Sequence, residues 1–190
     1  LTSTSDELLR GRAVAVGARR VTVVGAAINL HRPADRDDGA VWWSDDGTTW
    51  TRAGVAAAHM GGAGDQELMT VVALADGGFS AGGSDGNEAA VWSSPDGAVW
   101  RRADPLPSAR GTGATVTALA QGPKGGQWAA GVVDGTPRLW RSSDGRQWSA
   151  RRLPKALLAA GPAQSVVLAS GSGQVLLVVQ GTKGSTAAVV

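Results

Sequence analysis

The stretch AVWSSPDGAVWRRAD at residues 90–104 recurs as AVWWSDDGTTWTRAG at residues 40–54 and as RLWRSSDGRQWSARR at residues 138–152. All three place Trp, Ser, Asp-Gly and Trp in one order, and their glycines Gly47, Gly97 and Gly145 lie 50 and 48 residues apart. The chain is a repeat. Extending each copy backwards recovers an alternating or continuous apolar stretch: RAVAVGA from Arg12, TVVALADGG from Thr70, TVTALAQG from Thr115 and SVVLASGSG from Ser165. A turn follows, then a second apolar stretch closed by glycine: RVTVVG, FSAGG, QWAAG and VLLVVQG. Small and β-branched residues in this order read as buried strands.

Each unit thus contains four short strands, and such a sheet cannot cover both of its faces alone. Neighbouring units must stack on it, which is the pattern of β-propeller blades. The repeats run over about 5–53, 65–103, 113–153 and 162–190. The last is incomplete, because STAAVV at its end matches NEAAVW just before the Asp-Gly turn of the second unit. The expectation is an all-β domain over 1–190 holding about three and two-thirds blades. It would be part of a larger propeller or one completed by another chain. Asp-Gly suits a two-residue type I′ hairpin. Such a turn would set Trp100 opposite Ser93 and put Trp92 and Trp100 on opposite faces of the sheet.

SDDGTTW from Ser44, SPDGAVW from Ser94 and SSDGRQW from Ser142 resemble the Asp-box, or bacterial neuraminidase repeat, of sialidases and related propellers. The resemblance implies that Ser44, Asp46, Trp50, Ser94, Asp96, Trp100, Ser142, Asp144 and Trp148 lock the outer hairpin of each blade. It also leans towards a secreted or envelope-exposed protein, and the Ala-, Gly- and Arg-rich, Lys-poor composition suggests a high-GC bacterium. Sialidases of this family use a Tyr nucleophile, and this chain has no Tyr. That argues against a sialidase mechanism.

Composition narrows the function classes. Of 190 residues, 28 are Gly and only 18% are charged, which favours turns and strands over long charged helices. A net charge of +2 without a dense basic block lacks the footprint of a nucleic-acid binder. With no Cys there are no disulfides, thiolate nucleophiles or Cys-held metals. No apolar run reaches the length of a membrane span. GAGDQ and GPKGG lack the strand-loop-helix setting of a phosphate loop, so no cofactor is expected.

Up-and-down strands sort the loops onto two ends. The long irregular segments from Asn29, Ala56, Asp104 and Pro154 share the end opposite the Asp-Gly turns, and loops carry function more often than strands do. The candidate binding residues there are His31, Arg32, Asp35, Arg36, Asp37, Asp38, His59, Asp65 and Arg110. DRDDG lacks the full spacing of a calcium loop and reads as a solvated acidic turn, so no metal is assigned. The two histidines have no paired spacing and read as surface residues. Arg101-Arg102 and Arg151-Arg152 fall on the expected outermost strands, where charge protects an edge. The function expected is a non-catalytic propeller presenting loops to a protein or saccharide partner. The alternatives are a piece of an Asp-box glycoside hydrolase with its catalytic residues outside this chain, and a structural role in which an open blade edge recruits another subunit.

Overall fold

The computed structural model describes residues 6–31, 37–54 and 58–190, apart from the side chain of Lys124. Blade 1 comprises β1 (Glu7–Val16), β2 (Val21–Asn29), β3 (Asp37–Ser44) and β4 (Thr51–Arg52). Blade 2 comprises β5 (Gln66–Ala73), β6 (Phe79–Asp85), β7 (Glu88–Ser94) and β8 (Arg101–Arg102). Blade 3 comprises β9 (Thr115–Gln121), β10 (Gln127–Val133), β11 (Thr136–Ser142) and β12 (Ser149–Ala150). Blade 4 has three strands, β13 (Ala163–Gly171), β14 (Gln174–Gly181) and β15 (Gly184–Val189). A one-turn helix, α1 (Lys155–Leu158), joins blades 3 and 4. Every sheet is an antiparallel meander in sequence order. The first strands β1, β5, β9 and β13 contact one another in turn and form the inner ring, while β4, β8 and β12 form the rim. The chain is an all-β propeller segment.

Burial follows the stacking. Val24 and Val41 of blade 1 pack with Leu68, Phe79, Ala81 and Trp92 of blade 2. Ala89 and Val91, on the opposite face of blade 2, pack with Val116, Ala129 and Trp140 of blade 3. Leu139 of blade 3 then meets Val166, Leu177 and Val179 of blade 4. Trp92 and Trp140 are fully buried. Each removes a large apolar area from water, at roughly 25 cal/mol per Å².

The Trp pairs do not sit as a two-residue turn would set them. Trp92 lies opposite Arg102, and Ser93 opposite Arg101, one residue later than the expected pairing. Trp92 and Trp100 therefore fall in the same core cluster, as do Trp140 and Trp148. Both members of each pair face the preceding blade. The cause is the turn itself, which takes a positive φ only at Gly47, Gly97 and Gly145 and so is not of type I′. The true type I′ turns are Asp134-Gly135, with φ of 51° and 67°, and Ser172-Gly173, with φ of 51° and 77°. A shift of one residue moves a side chain to the other face of a sheet.

A glycine in the second strand of each blade has one recurrent reason. In all four blades the inner strand carries a bulge beside it: the pairing skips Arg12 next to Gly25, Met69 next to Gly83, Thr117 next to Gly131 and Gln164 next to Gly181. A Cβ at Gly25, Gly83 or Gly131 would run into the carbonyl oxygen of Arg10, Glu67 or Thr115 respectively. The inner strand can approach so closely only where the partner lacks a side chain, and the bulge bends it around the axis.

At both ends of the stack an apolar face stays open. Val14 and Val16 of blade 1 are 60% and 73% exposed beside Val23 and Trp42, on the face that blades 2 and 3 turn to a neighbour. Val167, Leu176 and Val189 of blade 4 are exposed on the face turned away from blade 3.

Gly83→Ala is expected to destabilise the protein by at least the ~1–3 kcal/mol of an overpacked site. Ala81→Gly, two residues away on the same strand and away from the bulge, is expected to cost about 1 kcal/mol. Urea unfolding of the two variants checks the order, and equal midpoints would contradict the steric account.

Candidate functional site

The two ends of the propeller segment differ in chemistry. At the end carrying the Ser-X-Asp-Gly turns, the polar groups are spent on the fold. Ser44 Oγ accepts the Gly47 amide at 2.8 Å and lies 3.0 Å from Asp46 Oδ1. Asp46 Oδ1 accepts the amides of Thr48 and Thr49 at 2.8 and 2.7 Å. Ser94 and Asp96 repeat this with Gly97, Ala98 and Val99. Ser142 and Asp144 repeat it with Gly145, Arg146 and Gln147. The indole N–H groups of Trp100 and Trp148 donate to the carbonyls of Gly97 and Gly145, which tie each Trp back into its own turn.

These amides hold the carboxyls below their ordinary range. For Asp46 the Thr49 amide contributes most, for Asp96 the Val99 amide and for Asp144 the Gln147 amide. Arg20 adds a link between blades. Its guanidinium lies 3.8 Å from the Trp43 ring centroid, grips both carboxylate oxygens of Asp45 and donates to the Asp96 carbonyl at 2.8 Å. The groove of 730 Å³ at this end is lined by Arg20, Asp45, Asp76 and Asp96, and all four already have partners within the protein.

The opposite end is less closed on itself. Arg10 and Arg12 on β1 both reach Glu67 on β5, at 3.2 and 2.7 Å, so the inner strands of two blades are bridged at the mouth of the axis. Arg12 is the residue extruded by the bulge, which aims it off the sheet. Asp37 Oδ2 lies 3.8 Å from Arg10, and the Asp37 amide donates to Asp65 Oδ1 at 3.2 Å. Asp37 and Glu67 are half-buried, whereas Arg10 and Arg12 turn more than a third of their side chains to solvent. Glu88 at the next blade boundary is buried and holds Arg102 and Arg110 at 3.3 and 3.0 Å.

Of the residues expected from sequence, Asp37 and Asp65 meet at this mouth, and Asp38 stands beside Gly61. Asp37 and Asp38 open strand β3 instead of belonging to a loop. His31 faces Asp6 at 3.2 Å, His59 is exposed with a φ of 51°, and Arg110 sits at the blade 2 boundary. Arg32, Asp35 and Arg36 lie outside the described residues. Among the described residues no group of three or more His, Asp or Glu could hold a metal ion. Arg151-Arg152 follow β12 instead of lying in it, because the outer strand is only two residues long. Arg10, Arg12 and Glu67 were not anticipated. The signal for them was charge interrupting the apolar inner strand in DELLRGRAVAV and DQELMTVVAL.

No protein-family model matches the sequence, and a search of curated proteins finds no match. Solved structures do match in fold. A family 117 glycoside hydrolase from the marine bacterium Zobellia galactanivorans superposes with a TM-score of 0.56 at 12% identity, over 95% of this chain and 65% of that one. A glycoside hydrolase of the GH130 family of mannoside phosphorylases, targeting β-1,2 mannosidic linkages in Candida mannan, gives 0.54 at 11% identity, over 93% and 61%. The NanB sialidase from Streptococcus pneumoniae gives 0.52 at 12% identity, over 93% and 28%. The fold is that of sialidase-like and glycoside-hydrolase propellers. The chain spans less than two thirds of each of these proteins.

A carboxylate whose folded pKa is depressed contributes stability above its unfolded value, near 4, and loses it as the pH falls towards the folded one. The unfolding midpoint is therefore expected to drop steeply below about pH 4. Ser94→Ala, which removes a buried acceptor from the second turn, is expected to cost about 1 kcal/mol at pH 7. Thermal melts from pH 7 to pH 2 check both, and a midpoint flat across that range would contradict the turn chemistry.

Proposed function

We propose that the chain is the saccharide-binding portion of a carbohydrate-active propeller of the glycoside-hydrolase type, with its site at the axial mouth opposite the Ser-X-Asp-Gly turns. The observation carrying this reading is the convergence of Arg10, Arg12, Asp37 and Glu67 from two adjacent blades at one end of the inner ring. Guanidinium groups supply several donors in fixed directions and carboxylates supply only acceptors, which together match the mixed donor and acceptor character of sugar hydroxyls. The similarity in fold to a glycoside hydrolase targeting β-1,2 mannosidic linkages and to a sialidase bound to sialic acid supports the ligand class. Asp65, which accepts the Asp37 amide, flanks the mouth. The proposal assigns recognition to these residues and bond cleavage to none of them.

The reading includes three further parts. The Ser-X-Asp-Gly turns are Asp-box turns, supported by their identical hydrogen bonding in three blades. The apolar faces of blades 1 and 4 are covered by further blades, from the same polypeptide or a second one, because each matches a face that is buried elsewhere in the stack. The site of action is extracellular or at the cell envelope, where such polysaccharides are met.

Calorimetric titration with neutral oligosaccharides, beginning with a β-1,2-linked mannose series, tests the site. Arg12→Ala and Glu67→Gln are each expected to weaken binding at least tenfold, and Arg12→Ala, whose side chain is more than a third exposed, to leave the unfolding free energy within about 0.5 kcal/mol of the parent. Absence of binding across the series, or binding unchanged in both variants, would overturn the reading.

A further inference from the structure

A second candidate site lies at the rim of the same end of the molecule, away from the axis. The connection from blade 2 to blade 3, the start of β11 and the segment leading into α1 enclose a groove of 390 Å³. Four cations line it, Arg138, Arg151, Arg152 and Lys155, and among the described residues no carboxylate does. Among the described residues none of the four forms an ion pair. Elsewhere on this end, among the described residues, Arg10, Arg12, Arg102 and Arg110 all meet carboxylates.

Arg138 is the informative member. It stands two residues before Trp140, on the same face of the sheet, where blades 1 and 2 bury alanines, Ala40 and Ala90. Its cross-strand partner is Gly131, as theirs are Gly25 and Gly83. Blade 3 thus replaces a buried methyl group with a guanidinium, and the Nε of that guanidinium is buried without a hydrogen-bond partner. An unpaired buried donor is costly, and three like charges beside it add to the cost. A substitution that packing alone would not keep is explained by an anion arriving from outside. Pro107 and the half-exposed Leu158 give the groove apolar walls, and the Trp140 indole donates to the Pro107 carbonyl and fixes one of them.

We propose that this groove binds a carboxylate-bearing sugar unit of an acidic oligosaccharide, with the guanidinium groups forking onto the carboxylate and the apolar walls covering a face of the ring. Guanidinium matches a carboxylate in a planar two-point contact that an ammonium cannot form. The saccharide class rests on the function proposed above, whereas the demand for negative charge stands on the groove alone.

The test is calorimetric titration of the whole chain in buffer of fixed 0.1 M ionic strength, roughly a 10 Å screening length. The probes are oligogalacturonate and its fully methyl-esterified form. The free acid is expected to bind at least tenfold more tightly than the ester. Arg138→Ala, which restores the residue of the other blades, is expected to remove that preference and leave the unfolding midpoint unchanged or raised. Arg151→Ala is expected to reduce the preference through an exposed position, which keeps the test usable should Arg138→Ala fail to fold. Arg19→Ala, an unrelated arginine at the opposite end, is expected to change nothing. Equal binding of acid and ester, or equal weakening by Arg19→Ala, would overturn the proposal. The two readings separate cleanly: loss of neutral-sugar binding in Arg12→Ala concerns the axial mouth, and loss of acid preference in Arg138→Ala concerns the rim groove.

Discussion

A four-stranded sheet made mostly of Val, Ala, Gly and Trp has two apolar faces, and one sheet can cover neither by itself. Stacking is the constraint on which the rest of this structure depends. Trp92, Phe79 and Leu68 stay dry only because Val24 and Val41 of the blade before lie against them, and Val91 is covered in turn by Trp140 of the blade after. The small residues follow from the same demand. Gly39 receives Leu68, and Gly82 receives Val116, each across a blade boundary and each leaving no room for a methyl group. Dense packing of this kind sets the distance between blades, and so it sets where the inner strands deliver Arg10, Arg12 and Glu67.

The strand order and the blade count were legible because they ride on local chemistry repeated three times. Ser, Asp and Gly close a turn by hydrogen bonds within four residues, and alternation of apolar residues marks the strands on either side. Side-chain direction was less legible. Asp96 acts as an acceptor for two amides in a wider turn instead of adopting a left-handed conformation, and that one difference moves Trp100 to the other face. The glycines Gly25, Gly83, Gly131 and Gly181 in the second strands were visible as a pattern, but their reason was not, since it lies in a bulge on the neighbouring strand.

The loop end could be picked out from topology, and the structure sets Asp37 and Asp65 against each other at that end, beside the proposed site. The charged groups of the proposed site nonetheless sit on strands. Arg12 reaches the mouth because a bulge extrudes it, and Glu67 because β5 starts beside β1, and neither relation is written in a single repeat. Arg138 shows the opposite case. The change from AVW to RLW at one repeat was open to view, yet its meaning required knowing that the two alanines it replaces are buried.

Blade-on-blade contact is tested most directly by a double-mutant cycle across one boundary. Gly82 on β6 and Val116 on β9 belong to different blades, and a Cβ on Gly82 would stand 2.5 Å from Val116 Cγ1. In urea unfolding, Gly82→Ala combined with Val116→Ala is predicted to be less destabilised than the sum of the single changes, by on the order of 1 kcal/mol. Strict additivity of the two would contradict the stacked arrangement, because residues in sheets that do not touch have nothing to relieve.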